Sequence, residues 1–205
     1  MKLLVATRSA AKRREAERLL AGTGIEPVFP DEAGVPATPV EETLELGDSF
    51  EANARAKATY FARQTGLPAV ADDSGLEVFA LGGAPGVRSR RWAGSAASGQ
   101  ALDDANNAEL LRRLAGAPAA RRRARYRCVL VYVPSPGGIP ETFEGSCLGA
   151  ILEEPRGAGG FGYDPLFRSD DLGKTFAEVT APEKDAVSHR GRAFRAFLTA
   201  LPAHS

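Results

Sequence analysis

The chain has 205 residues and a mass of 21.6 kDa, enough to bury a core without disulfide or metal staples. Lys and Arg together number 26, as do Asp and Glu, so the net charge is zero, which argues against a general binder of nucleic acid. No apolar run approaches the roughly 20 residues of a membrane helix, no signal-peptide pattern opens the chain, and Cys128 and Cys147 lack metal-binding spacing, as suits a reducing cytoplasm.

Residues 2–6 (KLLVA) form an apolar run that predicts a buried first strand. From Ala10 the pattern turns helical, with Ala16, Leu19 and Leu20 on one face and Gly22 as the stop. Residues 25–29 predict a second strand, and the proline, glycine and acidic residues of 30–47 an exposed loop. Asp48 or Ser49 caps a helix running to about Gln64, with Glu51 completing a capping box on Asp48. A strand at 69–71 is expected to stop at Asp72-Asp73-Ser74-Gly75, with a short one at 76–80 and loop over 82–97. A helix near 99–114 precedes two β runs, 122–133 and 141–152, that flank a Pro/Gly turn as a hairpin. Residues 155–165 form a Gly-rich loop, Thr180 and Glu183 make a capping box, and Ser188 opens a helix striped by Phe194, Phe197, Leu198 and Leu201. The order predicts an α/β chain (mixed α+β): a mixed sheet flanked by helices, without clean βαβ alternation.

Four segments carry candidate chemistry. Asp72 and Asp73 sit side by side after a buried strand, either as an Asx-type turn or as a site for a hard cation such as Mg²⁺, which prefers carboxylate oxygens plus substrate phosphates. Glu41, Glu42 and Glu45 of the acidic loop are further ligand candidates. Thr7-Arg8-Ser9-Ala10-Ala11-Lys12 joins a strand to a helix, where backbone N–H groups and the helix dipole favour phosphate. Lysines are rare here, 5 against 21 arginines, and Lys12 in a first helical turn is unfavourable for the helix itself. Gly159-Gly160-Phe161-Gly162-Tyr163-Asp164-Pro165 reads either as a tight turn with buried aromatics or as a platform on which a flat base stacks. Lys184 with Ser188-His189-Arg190-Gly191 offers donors for an anionic or carbonyl-bearing ligand.

Together LLVATRSAAKRRE, ELGDSFEANARAKA, GLPAVADDSGLEVFALGGAPGV, GGFGYDPLF and EKDAVSHRG resemble, in order and over nearly the whole chain, the RdgB-like inosine triphosphate pyrophosphatase family. The resemblance implies one domain over 1–205 with two lobes and a nucleotide cleft, an elongated mixed sheet, a homodimer and Mg²⁺ dependence. It implies hydrolysis of non-standard purine nucleoside triphosphates (ITP, dITP, XTP) to the monophosphate and pyrophosphate. Thr7, Arg8, Ser9, Ala10, Ala11 and Lys12 would hold the triphosphate, with Lys57 facing it. Asp73 would be the general base and a metal partner, beside Asp72, with Ser74 on the substrate. Phe161 would stack on the base, Gly162, Tyr163 and Asp164 would line its pocket, and Lys184, His189 and Arg190 would contact it.

This chain departs from the family pattern at Ser9, where asparagine is usual, and in the loop holding the metal-binding glutamate. ELGDSF aligns that glutamate with Glu45; alignment on Glu42 needs a three-residue insertion. Two other readings stay open: a Maf-like pyrophosphatase acting on pyrimidine or modified nucleotides, and a nucleotide-binding module without catalysis.

Overall fold

A computed structural model describes residues 1–201. His204, the second histidine, and the end of the expected 1–205 domain lie outside the described residues. Six strands, β1 (Lys2–Val5), β2 (Glu26–Val28), β3 (Ala69–Val78), β4 (Arg123–Val133), β5 (Glu141–Ile151) and β6 (Phe167–Ser169), form one mixed sheet in the order β2-β1-β3-β4-β5-β6. β1 is parallel to both β2 and β3, and β5 is antiparallel to β6. The helices are α1 (Ala10–Leu20), α2 (Val40–Thr43), α3 (Phe50–Thr65), α4 (Gly99–Arg113), α5 (Ala181–Val187) and α6 (His189–Ala200). This is the mixed α/β class expected. Pro27 is tolerated because β2 is an edge strand.

The chain divides into two compact units. The first comprises residues 1–73, 128–145 and 193 onward. Its core packs Leu3 and Val5 of β1, Val70 of β3 and Leu130 of β4 against Ala16 and Leu20 of α1 and Phe194 and Phe197 of α6. The second comprises residues 74–127 and 146–192, with Leu76, Val78, Leu110, Tyr126, Ile151, Tyr163, Phe167 and Phe176 in its core. Cys128 and Cys147 form no disulfide; they are fully buried in the first and second core respectively, Cys128 Sγ 4.0 Å from Asp72 Oδ2 and Cys147 Sγ 3.5 Å from Ser169 Oγ.

Most expected elements are present, with informative differences. β3 does not stop at residue 71; it runs unbroken through Asp72-Asp73-Ser74-Gly75 to Val78, because side-chain partners in the fold override the turn preference of that run. Ser49 alone caps α3, its Oγ accepting from Ala52 N at 3.1 Å, while Glu51 is engaged by Arg55 instead of completing a box with Asp48. The acidic loop contains the single turn α2, and the 82–97 segment contains a 3₁₀ turn over Gly86–Arg91. The three-residue β6 is too short to leave a periodic signal. The Thr180–Glu183 box is formed at the head of α5. No described helix is long and apolar enough to cross a membrane.

Candidate active site

In the first unit, the order β2-β1-β3 places a topological switch point between β1 and β3. The chain leaves β1 for α1 and returns to β3 from α3, and ligands of such sheets bind at the carboxyl ends of these strands. Thr7–Lys12 follows the carboxyl end of β1 directly, and Asp72-Asp73 lie mid-strand in β3, just past the Val5–Val70 pairing that ends β1. The Thr7 Oγ1 accepts from Ser9 N, and Ser9 caps α1 by accepting from Lys12 N at 3.4 Å. Ala10 and Ala11 follow as the first helical residues, and the first turn of α1 holds no acidic side chain to compete for an anion.

Alternation along β3 sends Asp72 and Asp73 to opposite faces of the sheet. Asp72 shares the α1 face with Val70; its Oδ2 lies 3.1 Å from Lys12 Nζ. Asp73 faces α3, where the buried Asn53 donates from Nδ2 to Asp73 Oδ2 at 2.8 Å. Asn53 Oδ1 in turn accepts from Gly47 N at 2.8 Å. A Cβ at Gly47 would lie 2.7 Å from that Oδ1, so the approach requires glycine. One turn further along α3, Lys57 Nζ bonds Glu45 Oε1 at 2.8 Å and the Asp72 carbonyl at 2.7 Å. Asn53 and Lys57 therefore draw Asp73 and Glu45 onto one helical face.

The electrostatics follow from that packing. Burial opposes the Lys57 charge, but Glu45, Asp73 and Asp72 outweigh it and hold its pKa above the ordinary lysine value. Burial raises the Asp73 carboxyl above the usual aspartate range, although Lys57, Lys12 and the Asn53 amide pull it down. Arg8 is turned to the acidic segment: its guanidinium forks onto the Glu41 carboxylate, both bonds at 2.7 Å, and Nη2 also donates to the Val35 carbonyl. Glu41 thereby ties the acidic segment to the Thr7–Lys12 turn, a role the sequence did not suggest.

The donor set suits a hard cation. Mg²⁺ is commonly held by one or two carboxylates plus substrate phosphates; Glu45 and Asp73 supply carboxylate oxygens on the α3 side, whereas the Asp72 carboxylate is turned to the other face and held by Lys12, so the structure does not bring all three expected ligands together. Among the described residues no three His, Cys, Asp or Glu side chains form a ready-made cage.

The remaining expected residues all belong to the second unit. Asp164 is their hub. Its Oδ2 accepts from Lys184 Nζ at 2.6 Å and from the Phe161 N–H at 2.9 Å, and Tyr126 OH lies 3.5 Å from Oδ1. Gly160 has φ +75°, and a Cβ there would collide with the Asp164 carboxylate. The Phe161 ring is partly exposed, with Lys184 Nζ 4.7 Å and Arg190 Cζ 5.9 Å from its centroid. Tyr163 turns into the core, where its OH donates to the Ser89 carbonyl. His189 stacks on Tyr126 at 4.6 Å, 7° from parallel. Arg190 Nη2 donates to Ser74 Oγ at 2.7 Å. Lys184, His189 and Arg190 are all buried, so their donors are held in fixed positions.

Asn53 and Tyr126 are site neighbours absent from the sequence-derived set. Asn53 left one usable signal: an amide four residues before Lys57 on an otherwise apolar helical face. Tyr126, within a long β run, left none.

The Ham1 family model matches residues 3–200. A curated dITP/XTP pyrophosphatase of Frankia alni is 47% identical over 202 residues, covering 98% of this chain and 97% of that protein. One of Yersinia pseudotuberculosis is 47% identical over 201 residues, covering 98% of each. Among solved structures, a HAM1 protein from Coxiella burnetii is similar at TM-score 0.83 and 38% identity, covering 97% of both chains. A nucleoside-triphosphatase, or dITP/XTP pyrophosphatase, from Mycobacterium abscessus is similar at TM-score 0.71 and 44% identity, covering 97% of this chain and 99% of that one. With a family model over nearly the whole chain and near-complete matches to relatives and solved structures, the chain belongs to the Ham1 family.

Proposed function

We propose that this chain hydrolyses non-standard purine nucleoside triphosphates (ITP, dITP and XTP) to the monophosphate and pyrophosphate, clearing the nucleotide pool of deaminated purines. Its near-full-length relatives are named dITP/XTP pyrophosphatases, which supports the reaction class. The observation that carries the reading onto this chain is the meeting of Lys12 and Lys57, from two different helices, on Asp72 beside Asp73. Two cations next to a buried carboxylate suit a polyanionic substrate and a proton acceptor.

In this reading the triphosphate is held by the Thr7–Lys12 turn and Lys57, and the base by Phe161 with Gly162 and Asp164. Ser74, Lys184, His189 and Arg190 supply the polar contacts, and the two compact units serve as the two lobes of one domain. Water attacks the α-phosphorus, Asp73 takes its proton, and pyrophosphate leaves with Lys12 and Lys57 holding its charge. Glu45 and Asp73, drawn onto one face of α3, would hold Mg²⁺, with Asp72 beside them. The ion, when bound, neutralises phosphate charge as a Lewis acid. The homodimer rests on the family resemblance, and the cytoplasmic location on two buried cysteines that form no disulfide.

The test is hydrolysis of ITP, XTP, dTTP and UTP in the presence of Mg²⁺. Release of pyrophosphate from ITP and XTP is expected. Release of orthophosphate, or a preference for dTTP and UTP, would overturn the reading.

A further inference from the structure

Asp103 and Asn107 stand one turn apart on α4 and share a face. Both reach one residue of the Gly-rich loop. The Gly162 N–H donates to Asp103 Oδ2 at 2.7 Å, and Asn107 Nδ2 donates to the Gly162 carbonyl at 2.9 Å. These bonds fix different peptide planes, one on each side of Gly162. A third plane is fixed where the Phe161 N–H donates to Asp164. Three successive peptides around Phe161 and Gly162 are thus held by side chains, while the Phe161 ring stays partly exposed.

Asn107 is about nine-tenths buried, and its Oδ1 has no hydrogen-bond partner among the described residues. A buried unmet acceptor is destabilising, and an apolar side chain of like size would remove it. Stability therefore does not account for an amide here; the donor to Gly162 does.

We propose that Asp103 and Asn107 are positioning residues that clamp the Gly162 backbone and so present Phe161 ready to stack on the base. The proposal rests on the base-binding role given to Phe161 above. The loop carries glycines at 157, 159, 160 and 162, so its backbone would otherwise be ordered at the expense of binding. Clamping places that ordering in folding instead. The effect should therefore appear in KM for nucleotides and not in the handling of a bare polyphosphate.

The experiment compares Asn107→Leu, Asp103→Ala and Asp103→Asn with the unaltered enzyme, and Phe161→Ala alone and combined with Asn107→Leu. Three quantities are read: kcat and KM for ITP, the inhibition constant of inorganic tripolyphosphate, and Tm. Loss of one hydrogen bond should raise KM about two- to tenfold in Asn107→Leu and Asp103→Ala, with kcat moving little. Asp103→Asn, whose amide oxygen can still accept, should restore most of it. Tripolyphosphate inhibition should hold, and Tm of Asn107→Leu should move little, since loss of the unmet Oδ1 offsets loss of the donor to the Gly162 carbonyl. Phe161→Ala should raise KM about five- to over a hundredfold, and adding Asn107→Leu should cost little more. An unchanged KM in both Asn107→Leu and Asp103→Ala, with Phe161→Ala impaired, overturns the clamp alone. Tripolyphosphate inhibition weakened in step with KM overturns it too, since the defect would then be general. An unchanged KM in Phe161→Ala overturns the base-binding reading itself.

Discussion

Replacing Asp73 by asparagine should separate activity from stability. The change keeps the side-chain volume, and the new amide oxygen can still accept from Asn53 Nδ2, which now bonds Asp73 Oδ2 at 2.8 Å. What disappears is the base and one negative charge. General-base catalysis contributes at least about a hundredfold, so kcat should fall by that factor or more, about 2.7 kcal/mol on the barrier. Stability should move the other way. Burial holds the Asp73 carboxyl above the ordinary aspartate range despite Lys57 and Lys12. A carboxyl with a raised folded-state pKa binds its proton more tightly folded than unfolded. Metal-free protein therefore loses stability as pH rises from the usual aspartate range through the raised value, and stays lower above it. Asp73→Asn has no such titration. Its Tm in chelator at neutral pH should equal or exceed that of the unaltered protein, and the gap should narrow as pH falls. Pyrophosphate release from ITP and thermal scans across pH measure both. Near-normal turnover would remove Asp73 from the base role, and a Tm lowered by several degrees would refute the burial argument.

Glu45→Gln should raise the Mg²⁺ requirement sharply and Glu42→Gln should leave it alone, as a Mg²⁺ titration of activity would show; a large effect at Glu42 would move the metal ligand there. Glu41→Gln should fall between them, because Arg8 grips Glu41 with two bonds at 2.7 Å and so ties down the segment bearing Glu45. Arg190→Ala should narrow the ITP/ATP ratio of kcat/KM: a donor such as Arg190 suits the 6-oxygen of inosine and opposes the 6-amino group of adenine. Ser74→Ala should narrow it less, since it keeps the Arg190 donor and removes the hydroxyl that accepts from Nη2; an unchanged ratio in both would place base reading elsewhere. Cys147, whose thiol burial pushes up to about 11, should resist thiol reagents near pH 8 in native protein, and fast labelling there would contradict its placement.

The strands, helices and caps with strong periodicity were legible because local pattern and burial agree in them: β1, α1, the β4–β5 hairpin, the α5 capping box and the α6 stripe. Asp72-Asp73-Ser74-Gly75 was misread as a strand end because its composition is that of a turn. Nothing local reveals that Lys12 and Asn53, 60 and 20 residues away, satisfy the two carboxylates within a strand. Glu41 failed for the same reason: its partner, Arg8, is 33 residues distant. Asp103 and Asn107 left a visible i, i+4 pair, but exposed helices carry such pairs routinely, and only the approach of Gly162 gives this one meaning.

The unbroken course of β3 makes the arrangement of carboxylates a matter of odd and even. Side chains on a strand have two options, one face or the other, and the choice reverses with each residue. Deleting one residue between Val70 and Asp72 would turn Asp73 toward Lys12 and leave Asn53 without its carboxylate. Deleting both Val70 and Ala71 would restore the facing but draw both groups back along the strand by about 6.6 Å. Length changes in this strand should therefore be purged far more strictly than substitutions on it. Loop 134–140, a mostly exposed turn between β4 and β5, should tolerate changes in length far better.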